Sequence, residues 1–371
     1  MTAQTVLSEA KTATDRRVGT VDAHVFHEWF SSSDISPYLR KGWRELLTSF
    51  SARSVGPMPL YINPLGGKFE HAFPTDGTVG LSFDTFREHV LDAWSPDRVV
   101  LGYDESVLMT ASANVYAAAE IIRATNDWTA DAWLGRDDRL HGLILVSGAQ
   151  ADVAAKEIRR LGRNERMVGV AMGANVLNLT FGHPAYHPIY KAACEMGLPV
   201  VLQVGSDLAA SLLTPPVAGG QAAMYGEYDA LNAHSLMSHV AGMIVQGVFE
   251  LFPDLKVLLV GGGVTWVPGY LWRLDYAYKF AHQSAPWLKR LPSEYFKESI
   301  SVSTYQLERS LSDQALASVL ETAPWLRSNL IYASGYPNRD AVGPGPARSR
   351  LPESWADAVM AGNAMEFFRW P

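Results

Sequence analysis

The chain has 371 residues, a net charge of −7 and a pI of about 5.8, a balance that disfavours a nucleic-acid-binding surface. Its single cysteine, Cys194, excludes an intrachain disulfide and a cysteine-rich zinc site, and cytoplasmic localisation is the expectation for such a chain. Hydrophobic residues make up 48% of it, enough for a substantial core, but no stretch approaches the ~18 consecutive apolar residues of a membrane span.

The N-terminal segment, residues 1–18, is polar and has no apolar periodicity. It lacks the apolar core of a secretory signal, so we expect a mobile arm. The remaining residues, 19–371, suffice for two average domains or for one large one. The first predicted strand, Thr20–Phe26, begins this part of the chain.

The polar side chains of the first strand suggest a site at its C-terminal end. Because strand side chains alternate between two faces, a D-x-H-x-H pattern places two imidazoles together, as half of a zinc or manganese site. The chain has Asp22 and His24 in this pattern, but Phe26 stands where the second imidazole is needed. His27 comes one residue late and points to the opposite face unless the strand has already turned.

The segment after the first strand, residues 30–96, is too long to be a single helix. It contains Pro59-Leu60-Tyr61, the glycine-rich run Asn63–Gly67 and several aromatic residues. Insertions at this position in barrel enzymes often shape the substrate pocket. We therefore predict an inserted lid over the barrel mouth.

Eight short apolar runs recur along the chain, and helical patterns lie between them. The predicted strands are Thr20–Phe26, Arg98–Gly102, His141–Ser147, Met167–Met172, Pro199–Val204, Lys256–Val260, Ser299–Thr304 and Asn329–Ser334. The helical period is seen where Val115, Ala118, Ala119 and Ile122 follow one another at i, i+3, i+4 and i+7.

This alternation predicts an α/β protein with a (β/α)8 TIM barrel over residues 19–371. Its site should lie at the C-terminal ends of the strands. The alternative is an open doubly wound sheet, but no G-x-G-x-x-G fingerprint follows the first strand to support it.

Four segments resemble the amidohydrolase-related family, which includes aminocarboxymuconate-semialdehyde decarboxylase and aromatic-acid decarboxylases. They are Asn126–Leu140, His183–Gly205, Gly247–Asp275 and Asn329–Asp340. The resemblance covers nearly the whole chain from Asp22 onward. It implies a barrel that usually holds one divalent metal and acts on small carboxylated or cyclic substrates.

The resemblance also implies where metal-binding and acid/base groups would stand, and of these positions only His24 keeps the expected group. The other positions are occupied by Phe26, Gln203, Gly261 and Gly335. Asn338 stands where the family has a histidine shortly after the last of these positions. One imidazole and one neutral amide oxygen form a poor site for zinc, which usually takes three protein ligands. We therefore predict a degenerate site without metal. The alternative is one zinc or manganese ion held by His24, His27 and either His183 or His187.

Four side chains are the predicted catalytic groups. His24 is a candidate general acid or base, the alternative being a buried histidine that is satisfied by hydrogen bonds. His27 is expected to line the pocket. Asp104 is expected to share a proton with the neighbouring acid Glu105, the alternative being that both acids are solvated loop charges. Tyr305 ends the seventh predicted strand and is expected to orient a substrate carbonyl or carboxylate, the alternative being a packed ring.

Further residues are predicted to contact the substrate: Phe26, Gln203, His183, His187, Asn338 and Trp266. The alternative for His187 is a structural position at the N-terminus of a helix. For Trp266 and the aromatic residues that follow it, packing and a subunit interface are the alternative. Because the segment Trp266–Trp272 is more apolar than one helix face requires, we expect a homodimer.

The function predicted from these observations is a metal-independent amidohydrolase-like enzyme. It would act on a small cyclic or aromatic, carboxylated metabolite by decarboxylation, elimination or cyclisation, which positioned donors and acceptors can catalyse. One alternative is a non-catalytic subunit that associates with an active paralogue. Another is a metal-dependent hydrolase or decarboxylase with rearranged ligands.

Overall fold

The structure is a computed structural model that describes residues 19–29, 32–49, 82–112, 114–173, 177, 179–203 and 224–370. The predicted N-terminal arm, residues 1–18, lies outside these residues, as does the middle of the predicted lid, residues 50–81. The mobility of the arm and the role of the lid therefore stay predictions.

Eight parallel strands form one sheet, in which each strand pairs with the next one in the sequence. They are β1 Val21–His27, β2 Arg98–Tyr103, β3 Leu140–Val146, β4 Met167–Gly173, β5 Val200–Gln203, β6 Val257–Val260, β7 Ile300–Ser303 and β8 Leu330–Ile331. All eight lie at the predicted apolar runs, and the largest difference is the shortness of β8. Parallel strands need such apolar runs because helices cover one face of the sheet and the core covers the other.

Backbone hydrogen bonds between β1 and the chain after β8 complete the barrel. Ala23 N donates to Tyr332 O at 3.0 Å, and Phe26 N donates to Tyr336 O at 2.8 Å. These bonds join the last strand to the first, so the prediction of a (β/α)8 barrel is confirmed.

Helices surround the strands. The α-helices are Ser32–Ile35, Lys41–Ser49, Phe83–Phe86, Val115–Trp128, Ala151–Leu161, His187–Glu195, Tyr225–Val245, Val248–Leu251, Trp266–Ala281, Pro292–Ser299, Asp313–Glu321, Leu326–Asn329, Pro344–Ser349, Glu353–Asp357 and Asn363–Phe367. Short 3-10 segments are Ser36–Tyr38, Glu105–Ala111, Leu134–Arg136, Gly148–Gln150, Pro184–Tyr186 and His282–Ser284, and π-helical segments are Arg87–Asp92, Thr129–Trp133 and Ala358–Gly362. Of the helices described, none is long and apolar enough to cross a membrane.

The apolar strand residues form two buried layers. Residues such as Leu143 and Leu258 belong to a cluster inside the barrel, whereas their neighbours Ile144 and Leu259 pack beneath the helices. The two layers follow from the alternation of side chains along each strand. They leave the C-terminal strand ends as the place where polar side chains can converge.

The described flanks of the predicted lid pack on the outside of the barrel. Ile35, Leu39 and Phe83 are buried in the outer layer. Arg40 donates from its backbone N and its Nε to the carboxylate of Glu120, each at 2.8 Å. These contacts attach both ends of the insertion to the barrel wall.

Candidate active site

An irregularity in β1 determines which of its side chains reach the barrel mouth. The pairing of β1 with β2 shifts between Asp22 and Val25, which leaves one extra residue in β1. Such a β-bulge redirects the side chains next to it. His24 lies within the bulge, and its ring meets the ring of Phe26 edge to face, with centroids 4.7 Å apart.

The imidazole of His24 is fully buried, and neither of its nitrogens makes a hydrogen bond within the described part of the chain. Its ring lies directly on the backbone of β2, because a Cβ at Gly102 would stand 2.0 Å from Cε1 of His24. Burial lowers the pKa of His24 to about 3, His27 adds to this effect, and the nearby Gln203 side chain opposes it. The imidazole is therefore neutral at physiological pH.

The carboxamide of Gln203, at the end of β5, lies beside His24. Its Nε2 donates to the backbone oxygen of Tyr103 at 2.5 Å. Its Oε1 is buried and makes no hydrogen bond to any described residue. Because buried polar atoms normally have a partner, this oxygen and the His24 nitrogens together mark a place where a ligand can bind.

Tyr305, just after β7, occupies the space above Gly335. A Cβ at Gly335 would stand 2.1 Å from Cδ2 of the Tyr305 ring, and Gly335 has a φ of +71°. Asn338 donates from Nδ2 to the phenol oxygen at 2.8 Å, and the ring of Phe26 meets the Tyr305 ring with centroids 5.7 Å apart. His24, Phe26, Tyr305 and Asn338 therefore form one connected cluster.

Asp22 joins β1 to the chain after β8 and adds a buried carboxyl group close to the mouth. Its Oδ1 accepts hydrogen bonds from Ser334 N at 2.9 Å and from His24 N at 3.3 Å. Its Oδ2 is buried and makes no hydrogen bond among the described residues. Burial raises the pKa of Asp22 to about 7, although the hydrogen bonds from Ser334 and His24 oppose the shift.

Asp104 lies at the end of β2, at the same edge of the barrel as His24. Its side chain is buried, and its backbone oxygen accepts a hydrogen bond from Val107 N at 3.3 Å in the following 3-10 segment. A solvated loop charge, which was the alternative for Asp104, would be exposed, whereas this residue is buried. The catalytic role of Asp104 stays a prediction.

His27 points away from the mouth, to the helix side of β1. Its Nδ1 lies 2.5 Å from the oxygen of Gly102, and its Nε2 lies 2.8 Å from the hydroxyl oxygen of Thr129. The imidazole stacks on Trp128 with centroids 5.4 Å apart and meets Trp133 edge to face. Placing His27 with the catalytic groups therefore needs correction, because its strand position directs it into the outer core.

Three other predicted residues are not brought to this cluster. His183 caps the segment Pro184–Tyr186 by accepting a hydrogen bond from Ala185 N at 3.1 Å. His187 is the first residue of a helix, which was the alternative for this residue. It lines a groove of the outer surface together with Phe252. Trp266 also begins a helix, and its indole donates to Gly263 O at 3.1 Å. A substrate contact of these three residues stays a prediction.

Gly102 and Asp22 contribute to the arrangement, but they are missing from the predicted site residues. Gly102 has no side chain, which is what allows the His24 ring to lie on β2. An isolated glycine inside an apolar strand run was the available signal, because it often marks a close approach. Asp22 bonds to a residue over 300 positions later, a contact that local sequence does not reveal.

The sequence profile of the amidohydrolase family matches residues 80–370. The chain belongs to this family. The predicted family is therefore confirmed, and so is the assignment of the chain to lyase- and hydrolase-like enzymes.

Two characterised relatives of this amidohydrolase are gamma-resorcylate decarboxylases. The protein of Polaromonas sp. is 22% identical over 234 residues, which are 59% of this chain and 67% of that protein. The protein of Rhodococcus jostii is 25% identical over 199 residues, which are 50% of this chain and 58% of that protein. The matches thus span about two thirds or less of these relatives.

Solved structures show the same fold. The 5-carboxyvanillate decarboxylase of Sphingomonas paucimobilis has a TM-score of 0.65 at 23% identity and covers 95% of this chain and 99% of its own. The enzyme of the same name from Novosphingobium aromaticivorans contains bound manganese and has a TM-score of 0.67 at 18% identity, over 97% and 100%. A dihydroxybenzoic acid decarboxylase of Polaromonas sp., also with manganese, has a TM-score of 0.65 at 16% identity, over 95% and 97%.

The donor set at this mouth does not fit a divalent metal site of the usual kind. Within the ranges that the structure describes, no three histidine, cysteine, aspartate or glutamate side chains are grouped as metal ligands. His24 and the Gln203 oxygen are the donors that face each other, and the Tyr305 ring fills the space above Gly335. Catalytic zinc normally has three protein ligands, and the buried carboxyl group of Asp22 is not grouped with His24 and a third such side chain among the described residues.

Proposed function

We propose that this amidohydrolase is a lyase that removes the carboxylate of a hydroxylated aromatic acid as CO2, without a divalent metal. The family assignment and the decarboxylase relatives support the reaction and the substrate class. One matched structure contains 2,6-dihydroxybenzoate, which is a compound of this class. The donor set around His24 supports catalysis by the side chains alone.

The cluster at the mouth suits a flat aromatic acid. Phe26 and Tyr305 are buried rings with an edge-to-face contact, the geometry that aromatic groups prefer, and they offer apolar surface to a substrate ring. Gln203 and Asn338 offer amide groups that can bind a hydroxyl or a carboxylate. A few placed polar groups in an apolar pocket are typical of small-molecule sites.

The neutral imidazole of His24 is placed to move a proton. In the proposed sequence it accepts the proton of a substrate hydroxyl, which makes the ring electron-rich, and the imidazolium then donates to the ring carbon that bears the carboxylate. The carbon–carboxylate bond breaks, its electron pair restores the aromatic ring, and CO2 leaves. The product phenolate takes a proton from water. The low pKa of His24 makes its imidazolium a strong acid, which favours the transfer to carbon, and it makes the imidazole a weak base, which opposes the first transfer from the hydroxyl.

The observation that carries the proposal is the pair of unbonded His24 nitrogens in a buried cluster. The test is CO2 release from hydroxybenzoates, beginning with 2,6-dihydroxybenzoate, by the wild type and by Tyr305→Phe. We expect turnover by the wild type and a loss of about tenfold or more in the variant, because the phenol orients the substrate. No CO2 release from any hydroxybenzoate would argue against this substrate class.

A metal-dependent decarboxylase with rearranged ligands is the second candidate. It is favoured by the manganese that two matched structures contain. In this candidate His24 and Gln203 would be ligands, and the metal would supply a Lewis acid to the substrate. Stoichiometric metal in the active enzyme separates it from the first candidate. Association with an active paralogue stays a prediction, which co-purification tests.

A further inference from the structure

One residue at the barrel mouth has a backbone conformation that its residue type does not favour. Gln306 follows Tyr305 in the turn after β7, and its φ is +63°. The turn is closed by a hydrogen bond of 3.0 Å from Leu307 N to Thr304 O, so Gln306 is its third residue. Glycine or asparagine normally stands at a left-handed position of this kind, because other side chains are strained there. Such strain persists where the surroundings hold the residue in place, and it is common at functional sites.

The carboxamide of Gln306 joins the loops on both sides of this turn. Its Oε1 accepts a hydrogen bond from Gly262 N at 2.8 Å, in the glycine run after β6. Its Nε2 donates to Asp340 Oδ2 at 3.0 Å, in the loop after β8, and lies 3.5 Å from Asp229 Oδ1. Glycine has no side chain and asparagine is one methylene shorter, so neither of the favoured residues could make both contacts.

The same residue holds both partners of the hydrogen bond at the Tyr305 phenol. The phenol oxygen accepts from Asn338 Nδ2 at 2.8 Å. Tyr305 is joined to Gln306 by the peptide bond, and Asn338 stands two residues before Asp340, to which Gln306 donates. A change at Gln306 therefore shifts the phenol and the amide of Asn338 relative to each other.

We propose that Gln306 is a positioning residue that holds the Tyr305 phenol in the orientation the substrate requires. This inference rests on the proposed function, in which the phenol orients the substrate. Gln306 acts through Tyr305 and is not itself a catalytic group. The left-handed backbone is tolerated because a glutamine is needed to reach both neighbouring loops, although the turn alone favours glycine or asparagine.

The rest of this loop is held independently of Gln306. Oε1 of Glu308 accepts hydrogen bonds from Val264 N at 3.1 Å and from Thr265 N at 2.9 Å. The guanidinium of Arg350 donates to the backbone oxygen of Glu308 at 2.9 Å. We therefore expect a substitution of Gln306 to displace the phenol locally while the loop stays folded.

Gln306→Asn and Gln306→Gly separate positioning from stability. Both residues suit the left-handed backbone, so we expect the urea midpoint of unfolding to stay at the wild-type value or to rise. We expect kcat/KM for the hydroxybenzoate that the wild type decarboxylates to fall about tenfold, because neither residue bridges the two loops and the phenol is misplaced. Gln314→Asn is the matched control, since Gln314 is exposed on the helix Asp313–Glu321, and it should change neither quantity. Wild-type kinetics of both Gln306 variants, or a midpoint that falls together with the activity, would overturn the proposal.

A double-mutant cycle with Tyr305→Phe tests whether Gln306 acts through the phenol. If it does, Gln306→Asn should change kcat/KM less than about twofold once Tyr305→Phe has removed the hydroxyl, because there is no longer a phenol to misplace. General damage to the mouth would instead lower kcat/KM by the same factor in both backgrounds. That result would contradict the positioning role.

Amide hydrogen exchange tests the positioning without any turnover. We expect the peptide that contains Tyr305 to exchange at least about threefold faster in Gln306→Asn than in the wild type, and peptides of the helix Asp313–Glu321 to be unchanged. Faster exchange in a protein that decarboxylates no hydroxybenzoate would support the positioning and reject the substrate class. Unchanged exchange would overturn the positioning, whether or not the enzyme is active.

Discussion

The two faces of β1 give their histidines opposite surroundings. His24 and His27 are equally buried, at 0% and 1% exposure, and they are only three residues apart. Both nitrogens of His27 have a hydrogen-bonding partner and its ring is enclosed by aromatic side chains, whereas both nitrogens of His24 have none among the described residues. Burial alone therefore does not distinguish a structural histidine from a functional one. The satisfaction of its polar atoms does.

The largest effect should come from His24→Ala. We expect kcat for CO2 release to fall by about 10²-fold or more, which is the usual contribution of a general acid or base. The stability should change less, because the imidazole makes no hydrogen bond within the described residues. Urea unfolding and turnover on the same preparation measure the two effects. A fully active variant would remove His24 from the mechanism.

His27→Ala should show the reverse pattern. The substitution opens a cavity beside Trp128 and leaves the Thr129 hydroxyl and the Gly102 carbonyl without their present partner. We expect a loss of about 3 kcal/mol in the free energy of unfolding, measured in urea. His27→Phe keeps a ring on Trp128 and should lose less. An equally stable variant with impaired turnover would return His27 to the catalytic groups.

Gly335→Ala tests the mouth next to His24, because the backbone N of Gly335 donates to His24 O at 3.2 Å. The added methyl would stand 2.1 Å from the Tyr305 ring, at a backbone φ of +71°. Because the ring must move, we expect kcat/KM to fall by roughly tenfold. Gly345→Ala is the control, since nothing lies within 4 Å of its Cβ. Equal kinetics of the two variants would show that the position of Tyr305 is unimportant.

A pH-dependent effect on stability is expected for Asp22, whose pKa burial raises to about 7. A carboxyl group with a raised pKa in the folded state favours folding below its unfolded pKa, near 3.8, and this contribution is lost as the pH rises to about 7. Asp22→Asn keeps an oxygen for Ser334 N. It should therefore be more stable than the wild type at pH 8, and the difference should shrink as the pH falls toward 4. Thermal unfolding at several pH values measures this, and a difference that does not depend on pH would be the contrary result.

The sequence was sufficient for the fold because the barrel depends on local patterns. The apolar runs located all eight strands, and Ser312, a serine just before an apolar helical run, caps its helix by accepting a hydrogen bond from Ala315 N at 3.2 Å. In the long helix Tyr225–Val245, Leu236 and Val240 are four residues apart and both are buried. These features need only residues that are close together in the chain.

The arrangement of the mouth depends on contacts between distant residues, which local patterns do not contain. The bulge in β1 is defined by the register in which β1 pairs with β2, a strand more than 70 residues later in the chain. The contact of Tyr305 with Gly335 requires the end of β7 and the loop after β8 to meet when the barrel closes. Local patterns indicated His24, Gln203 and Tyr305, but they indicated the imidazoles of His183 and His187 equally, and these two belong to a 3-10 cap and a helix start.

The most direct test of the central claim is turnover by enzyme from which metal has been removed. The purified protein is analysed for zinc and manganese, treated with a chelator, and assayed for CO2 release beside an untreated sample and a sample supplied again with manganese. We expect far less than one metal ion per chain and the same rate in all three samples, because the described residues group no three histidine, cysteine, aspartate or glutamate side chains as ligands. About one ion per chain, lost together with activity on chelation and restored with it, would contradict the account.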